Sequence, residues 1–102
     1  MGERQLETFR IRPARLDDAA VIARFNRAMA VETEGRKLSP ARVLRGVKAL
    51  LADRSKGVYF VAHTGSGIIG QLLITHEWSD WRNGNFWWIQ SVYVAPEHRG
   101  RG

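Results

Sequence analysis

The chain has 102 residues, 44% of them hydrophobic and 25% charged, with no cysteine and a formal net charge of +6. That is enough for one domain and too little for two, and it excludes a disulfide framework, a thiolate zinc site and, with no run near ~18 apolar residues, a membrane-spanning helix. The positive charge invites a polyanion or a phosphorylated cofactor. However, Arg10, Arg12, Arg15, Arg24, Arg27, Arg42 and Arg45 are scattered singly along the chain, the pattern of solvated helix faces rather than of a nucleic-acid stripe.

The N-terminal Met1-Gly2-Glu3-Arg4-Gln5 is polar and carries no apolar signal core. Gly2 also lacks the Ser or Thr that myristoylation needs, because position 6 is Leu6. A cytoplasmic location is the expectation.

Thr8 to Arg12 alternates and then meets Pro13, which predicts a short first strand. Asp17 and Asp18 predict a helix cap with first-turn negative charge. Ala20, Val21, Ile22, Phe25, Ala28 and Met29 follow at helical spacing, and Glu32-Thr33-Glu34-Gly35 marks the helix exit. Ser39-Pro40 starts a second helix, with Ser as cap and Pro at the first helical position. Its stripe of Val43, Leu44, Val47, Leu50 and Leu51 predicts a face turned to the core.

After Gly57 the period shortens to that of strands. Val58 to Ala62 reads as a strand, Gly65-Ser66-Gly67 as a hairpin turn, and Ile68 to Thr75 as its return. Gly70 inside that return predicts a bulge or a close backbone approach. Asn83-Gly84 reads as a type I′ turn leading into a strand from Asn85 to Val94, which Ala95-Pro96 stops. Trp87 and Trp88 are expected to fill the core on opposite faces. The order predicts an α+β domain over residues 1–102: a mostly antiparallel sheet with two N-terminal helices.

The run Phe86-Trp87-Trp88-Ile89-Gln90-Ser91-Val92-Tyr93-Val94 then feeds Arg99-Gly100-Arg101-Gly102. A strand entering a turn of glycine and arginine is a way to build an anion cradle, because glycines let backbone N–H groups approach a phosphate closely. The full segment, Val92-Tyr93-Val94-Ala95-Pro96-Glu97-His98-Arg99-Gly100-Arg101-Gly102, resembles the acetyl-coenzyme A signature of the GNAT (Gcn5-related) N-acetyltransferases. In that family an apolar strand and Val-x-Pro precede Gln/Arg-x-x-Gly-x-Gly/Ala, which opens a helix. Arg99 stands at the Gln/Arg position and Gly102 at the first required Gly, so the signature's last small residue falls beyond Gly102. The element order agrees with the family's, and the resemblance extends over nearly the whole chain.

The resemblance implies the GNAT (acyl-CoA N-acyltransferase) fold, C-terminally truncated, and acetyl-CoA as co-substrate with no metal. Val92, Tyr93 and Val94 would offer backbone groups to the pantetheine arm and thioester, and Arg99, Gly100, Arg101 and Gly102 would cradle the pyrophosphate. The implied chemistry is direct attack of an amine on the acetyl thioester, with a backbone N–H steadying the charge that develops on the carbonyl oxygen. Histone-acetylating relatives place a general base four residues before the first of these backbone contacts. Here that position is Trp88, so the role does not transfer, and Tyr93, on the strand itself, is not assigned the acid's role.

Two sets of residues remain as candidates. Glu32 and Glu34 leave the first helix, where the family places its acceptor loop, and are expected on the acceptor side or as the base; their alternative is a solvated helix end. Glu77, Trp88 and Gln90 are expected to line the substrate cleft, with Glu77 and Asp80 able to receive a cationic amine beside Trp78 and Trp81. Cross-strand pairing at a hairpin tip is the alternative there. His76 has no metal-ligand spacing with His63 or His98, and Ser91 has no His–Asp partner pattern.

The expected partner is a small-molecule or peptide amine, with neither membrane nor nucleic acid, and the signature strand, left as a sheet edge, is expected to invite pairing with a second copy. The chain alone is expected to bind acetyl-CoA weakly or not at all. The reading kept beside this one is a non-catalytic, basic, Trp-rich module that binds nucleic acid or a protein.

Overall fold

A computed structural model describes residues 8–100. The polar N-terminal pentapeptide and the Arg101 and Gly102 positions lie outside the described residues. The elements are β1 (Arg10–Pro13), α1 (Ala19–Glu34), α2 (Pro40–Ala52), β2 (Val58–Thr64), β3 (Gly67–Ser79) and β4 (Gly84–Val94), with 3-10 turns at Leu16–Asp18 and Pro96–His98. The four strands form one sheet in the order β1-β2-β3-β4, antiparallel throughout.

Both helices pack on the same face of this sheet. Ala19, Ile22 and Ala23 of α1 and Val47 of α2 bury against Tyr59 and Val61 of β2, with Val43, Leu44, Leu50 and Leu51 packed around them. The expected core stripe of α2 is therefore the observed one. A second cluster joins Phe25 of α1 to Tyr93 and Ala95 at the end of β4. Ser39 caps α2 by accepting the Arg42 N–H at 3.3 Å, and Gly35 ends α1 in the left-handed region at φ 64°, as the helix-exit reading requires.

Asp18 does not cap α1 with its side chain. Its carboxylate turns back and accepts the Arg15 N–H at 2.7 Å and both Arg12 guanidinium nitrogens, Nη1 at 2.7 Å and Nη2 at 3.0 Å. The residue is buried, and the Arg12 hydrogen bonds hold its carboxyl below the usual carboxylate range. This clamp ties β1 to the start of α1 and so fixes the helix that carries the site.

The β3–β4 hairpin is longer than its apolar run suggests, and the tip differs from a type I′ turn. Only Asn83 has positive φ, at 52°, while Gly84 already pairs with Ser79, so Asp80–Asn83 form a four-residue loop. Beyond Ile74, β3 has no β2 partner and pairs with β4 alone. That overhang corrects the expected core role of the two tryptophans. Trp87 and Trp88 do point to opposite faces, but they are 69% and 49% exposed, because this part of the hairpin extends past the elements that could cover it.

Two bulges shape the sheet. On β3, Ile69 is the extra residue opposite Ala62/His63, beside Gly70. A Cβ on Gly70 would lie 3.1 Å from the Tyr93 carbonyl oxygen, so Gly70 marks both the irregularity and the close approach expected there. The freed Ile69 carbonyl accepts the Ala95 N–H at 2.8 Å, which anchors the exit of β4. On β4, Gln90 is the extra residue, since Leu73 pairs with Ser91 and Ile74 with Ile89.

Candidate active site

β4 is an edge strand, so along its length alternate backbone N–H and C=O groups point away from β3. The Gln90 bulge bends it and leaves one residue outside the ladder. Immediately beyond lie Val92, Tyr93 and Val94, then the turn at Pro96–His98 and Gly100 in the left-handed region at φ 82°. Open space surrounds the position where a Gly100 Cβ would stand, so it is the backbone angle that favours glycine. The segment expected to meet acetyl-CoA is thus an extended backbone edge followed by a glycine turn.

The two carboxylates expected on the acceptor side part company. Glu32 faces the signature strand: the Tyr93 hydroxyl donates to its Oε2 at 3.1 Å and Arg99 Nη2 to its Oε1 at 2.8 Å. Arg99 also donates through Nε to the Val94 carbonyl at 2.7 Å and lies over the Tyr93 ring, 5.2 Å from its centroid. The Arg99 hydrogen bond lowers the Glu32 carboxyl below its ordinary range, while burial first, and then the Glu32 carboxylate, raise the Tyr93 phenol. Tyr93 packs on Phe25 with ring centroids 5.0 Å apart. The group therefore works as a three-residue clamp that fastens the end of α1 to the end of β4.

Glu34 instead faces a groove of about 570 Å³ between α1, α2 and β4. Asn26, Met29 and Thr33 line it from α1, Val43, Val47 and Leu50 from α2, and Tyr59 from β2. Gln90 and Ser91, the bulge residue and its neighbour, close the β4 side. Of the residues expected in the cleft, only Gln90 lines this groove, and its amide donates to Thr75 Oγ1 at 2.8 Å. Glu77 and Trp88 lie further along the hairpin, joined by Trp88 Nε1 donating to Glu77 Oε1 at 3.0 Å. His76 meets Trp87 edge-on at 4.9 Å, and no group of His, Asp and Glu that could hold a metal occurs among the described residues.

Sequence reading missed the polar row beneath the groove. Gln71 Nε2 donates to Asn26 Oδ1 at 2.9 Å, and Asn26 Nδ2 donates to the Tyr59 hydroxyl oxygen at 2.9 Å. Gln71 and Tyr59 are each 5% exposed. The signal was present: Asn26 interrupts the apolar stripe of α1 at one turn from Ile22, and Gln71 interrupts the apolar run of β3.

Two helices on one face of an antiparallel sheet, with a bulged edge strand running into an Arg-Gly turn, define the acyl-CoA N-acyltransferase class of fold. The chain belongs to the GNAT family: the model of the Acetyltransferase (GNAT) family matches residues 21–102. Among solved structures, it is similar to a possible acetyltransferase from Clostridium difficile 630, with 52% identity, a TM-score of 0.89 and 94% of this chain covered. It is also similar to a GCN5-related N-acetyltransferase from Ralstonia eutropha JMP134, at 26% identity and a TM-score of 0.75, covering 93% of this chain and 67% of that one. A predicted acetyltransferase with acetyl-CoA from Clostridium acetobutylicum shares the fold at 21% identity and a TM-score of 0.70, covering 91% of this chain and 64% of that one. The chain spans 63% of the length of the Clostridium difficile protein. No curated protein matches it. Among the described residues, no helix is long and apolar enough to cross a membrane.

Proposed function

We propose that this chain forms the acetyl-donor strand and the acceptor groove of an acetyl-CoA-dependent N-acetyltransferase acting on a small-molecule or peptide amine in the cytoplasm. The observation that carries this reading is the meeting of groove and strand. Gln90 and Ser91 line the groove, and the backbone that follows them without a break, Val92–Val94, is the edge assigned to the thioester. Acetyl-CoA supplies an acetyl group activated as a thioester.

The chain's own residues then have distinct tasks. Backbone groups of Val92, Tyr93 and Val94 hold the pantetheine arm, and an N–H on this edge steadies the carbonyl oxygen as it gains charge. The turn of Arg99, Gly100, Arg101 and Gly102 is assigned to the phosphate end, with Arg99 anchoring the turn through its bonds to Glu32 and to the Val94 and Pro96 carbonyls. Glu32 is held by Arg99 and Tyr93 and is made less basic by them, so it positions the strand rather than taking a proton. Glu34, on the groove, is the carboxylate placed to accept the proton that an ammonium with a pKa of about 10 must lose before it can attack.

The test is a titration of the isotopically labelled chain with acetyl-CoA, followed by amide chemical shifts. The expected result is weak, saturable shifts at Val92–Val94 and Gly100. Shifts absent from β4, or equal shifts with a simple polyphosphate, would overturn the assignment. The reading as a basic, Trp-rich binding module draws on Trp81, 95% exposed, and Trp78, 61% exposed. Saturable binding of a single-stranded oligonucleotide at low salt, lost as salt rises, would favour it instead.

A further inference from the structure

The groove is selective in its charge as well as its shape. Met29 from α1, Val43, Val47 and Leu50 from α2, and Leu38 from the connection between the helices give it one apolar wall, facing the uncharged polar side chains of Gln90 and Ser91 across the groove. Its two charged groups, Glu34 and Arg36, stand 3.7 Å apart at an exposed rim and neutralise each other. Among the described residues, no other carboxylate lines it. A polycationic amine would have to strip water from each further ammonium with no anion to receive it, which is costly in such surroundings.

Tyr59 of β2, itself buried, brings a hydroxyl to the groove beside the apolar wall. It accepts from Asn26 Nδ2, which leaves its own hydrogen and one lone pair for a group in the groove. Burial raises its pKa, so it stays a neutral hydroxyl. The row behind it is directional and largely buried, Gln71 to half-buried Asn26 to Tyr59, and Gln71 Oε1 has no hydrogen-bond partner among the described residues. A buried row of this kind fixes the orientation of its last member.

Resting on the acetyltransferase reading, we propose that the acceptor is a monoamine with an apolar body. Its hydrocarbon part packs between Met29, Val43, Val47 and Leu50, and where the body carries a polar atom besides the amine, Tyr59 holds it. Asn26 and Gln71 are positioning residues that act through Tyr59. The volume suits a small molecule or one terminal residue of a peptide.

The labelled chain is titrated with 2-phenylethylamine, hexylamine and spermidine, and the side-chain amide signals of Asn26 and Gln90 are followed. Expected are saturable shifts with both monoamines, at affinities about tenfold above that for spermidine. Tyr59→Phe keeps the ring and should weaken binding of tyramine, 2-phenylethylamine with one added hydroxyl, about fivefold, while leaving 2-phenylethylamine affinity and the Phe25 and Tyr93 signals unchanged. Leu38→Glu, on the helix connection, adds a carboxylate and should shift the preference toward spermidine. Spermidine binding as tightly as the monoamines, shifts mapping elsewhere, or no shift at millimolar amine would each overturn the proposal. Failure of the acetyltransferase reading is a separate result: acetyl-CoA then leaves the β4 amides unmoved while the monoamines still bind.

Discussion

Replacing Asp18 by Ala tests the clamp that orients α1. The substitution removes three hydrogen bonds, two from the Arg12 guanidinium and one from the Arg15 N–H, at a carboxylate that is 7% exposed. A fully buried pair broken on one side costs about 3–5 kcal/mol. Arg12 keeps a quarter of its side chain exposed and regains water, and the Arg15 N–H is partly wetted, so the expected loss is about 2–3 kcal/mol. A domain of this size has about 5–15 kcal/mol to lose, and each kcal/mol moves Tm by about 4–8 °C, so a fall of roughly 10–20 °C is expected. Asp18→Asn keeps one acceptor oxygen and should lose about half as much. Acidification supplies the control. The folded pKa lies below the unfolded value near 4, so the stabilisation is present above about pH 4 and is lost as pH falls through the folded pKa. In urea melts the gap between wild type and Asp18→Ala should therefore be full at neutral pH and close at acid pH. A variant within about 0.5 kcal/mol of wild type, or a gap indifferent to pH, would refute the clamp.

Ile22 is completely buried between helix and sheet, and Ile22→Ala should cost about 3–5 kcal/mol by urea melt, with much smaller effects from the exposed neighbour Ala20. Gly70→Ala should cost about 1–2 kcal/mol and move the Tyr93 and Val94 amide signals, because the new Cβ meets the Tyr93 carbonyl at 3.1 Å. Ile89→Lys and Trp87→Gln, at positions 67% and 69% exposed, should leave stability within about 0.5 kcal/mol of wild type. If the chain self-associates through the sheet face that carries Ile89 and Trp87, the same pair should lower its sedimentation coefficient at high concentration; an unchanged value would exclude that face as the contact and leave backbone pairing at the β4 edge.

Local chemistry carried most of the fold in the sequence. The Ser39-Pro40 start, the Gly35 exit and the α2 stripe are each decided by a few neighbouring residues, and each stands where it was read. The hairpin tip and the tryptophans depended on something not local: how far the helices and β2 reach along β3 and β4. Composition marks Trp87 and Trp88 as core residues, but burial needs a covering element, and β2 ends its pairing at Ile74. The candidate site divided in the same way. Gln90 and Glu34 stand out in sequence as polar groups at a strand centre and a helix exit, and both line the groove. The separation of Glu32 from Glu34 is not visible in sequence, since it depends on Arg99 and Tyr93, 67 and 61 residues away.

The Gln90 bulge explains why strict alternation fails along β4. Counting back by twos from Tyr93, which faces α1, would turn Ser91, Ile89 and Trp87 toward the helices. One inserted residue stops that at Ser91, and the pairings of Ile74 with Ile89 and His76 with Trp87 send the apolar pair to the opposite face. Ile89, Trp87 and, by ordinary alternation, Val92 then share the open face with Trp78, all more than half exposed. The same insertion leaves Gln90 at the groove beside Ser91. A single extra residue thus sends Ile89 and Trp87 to the face away from the helices and sets the Gln90 side chain at the groove. Because both follow from one register shift, the groove-facing Gln90 and the apolar pair on the opposite face are linked features of this strand, and restoring strict alternation by deleting the extra residue would displace both.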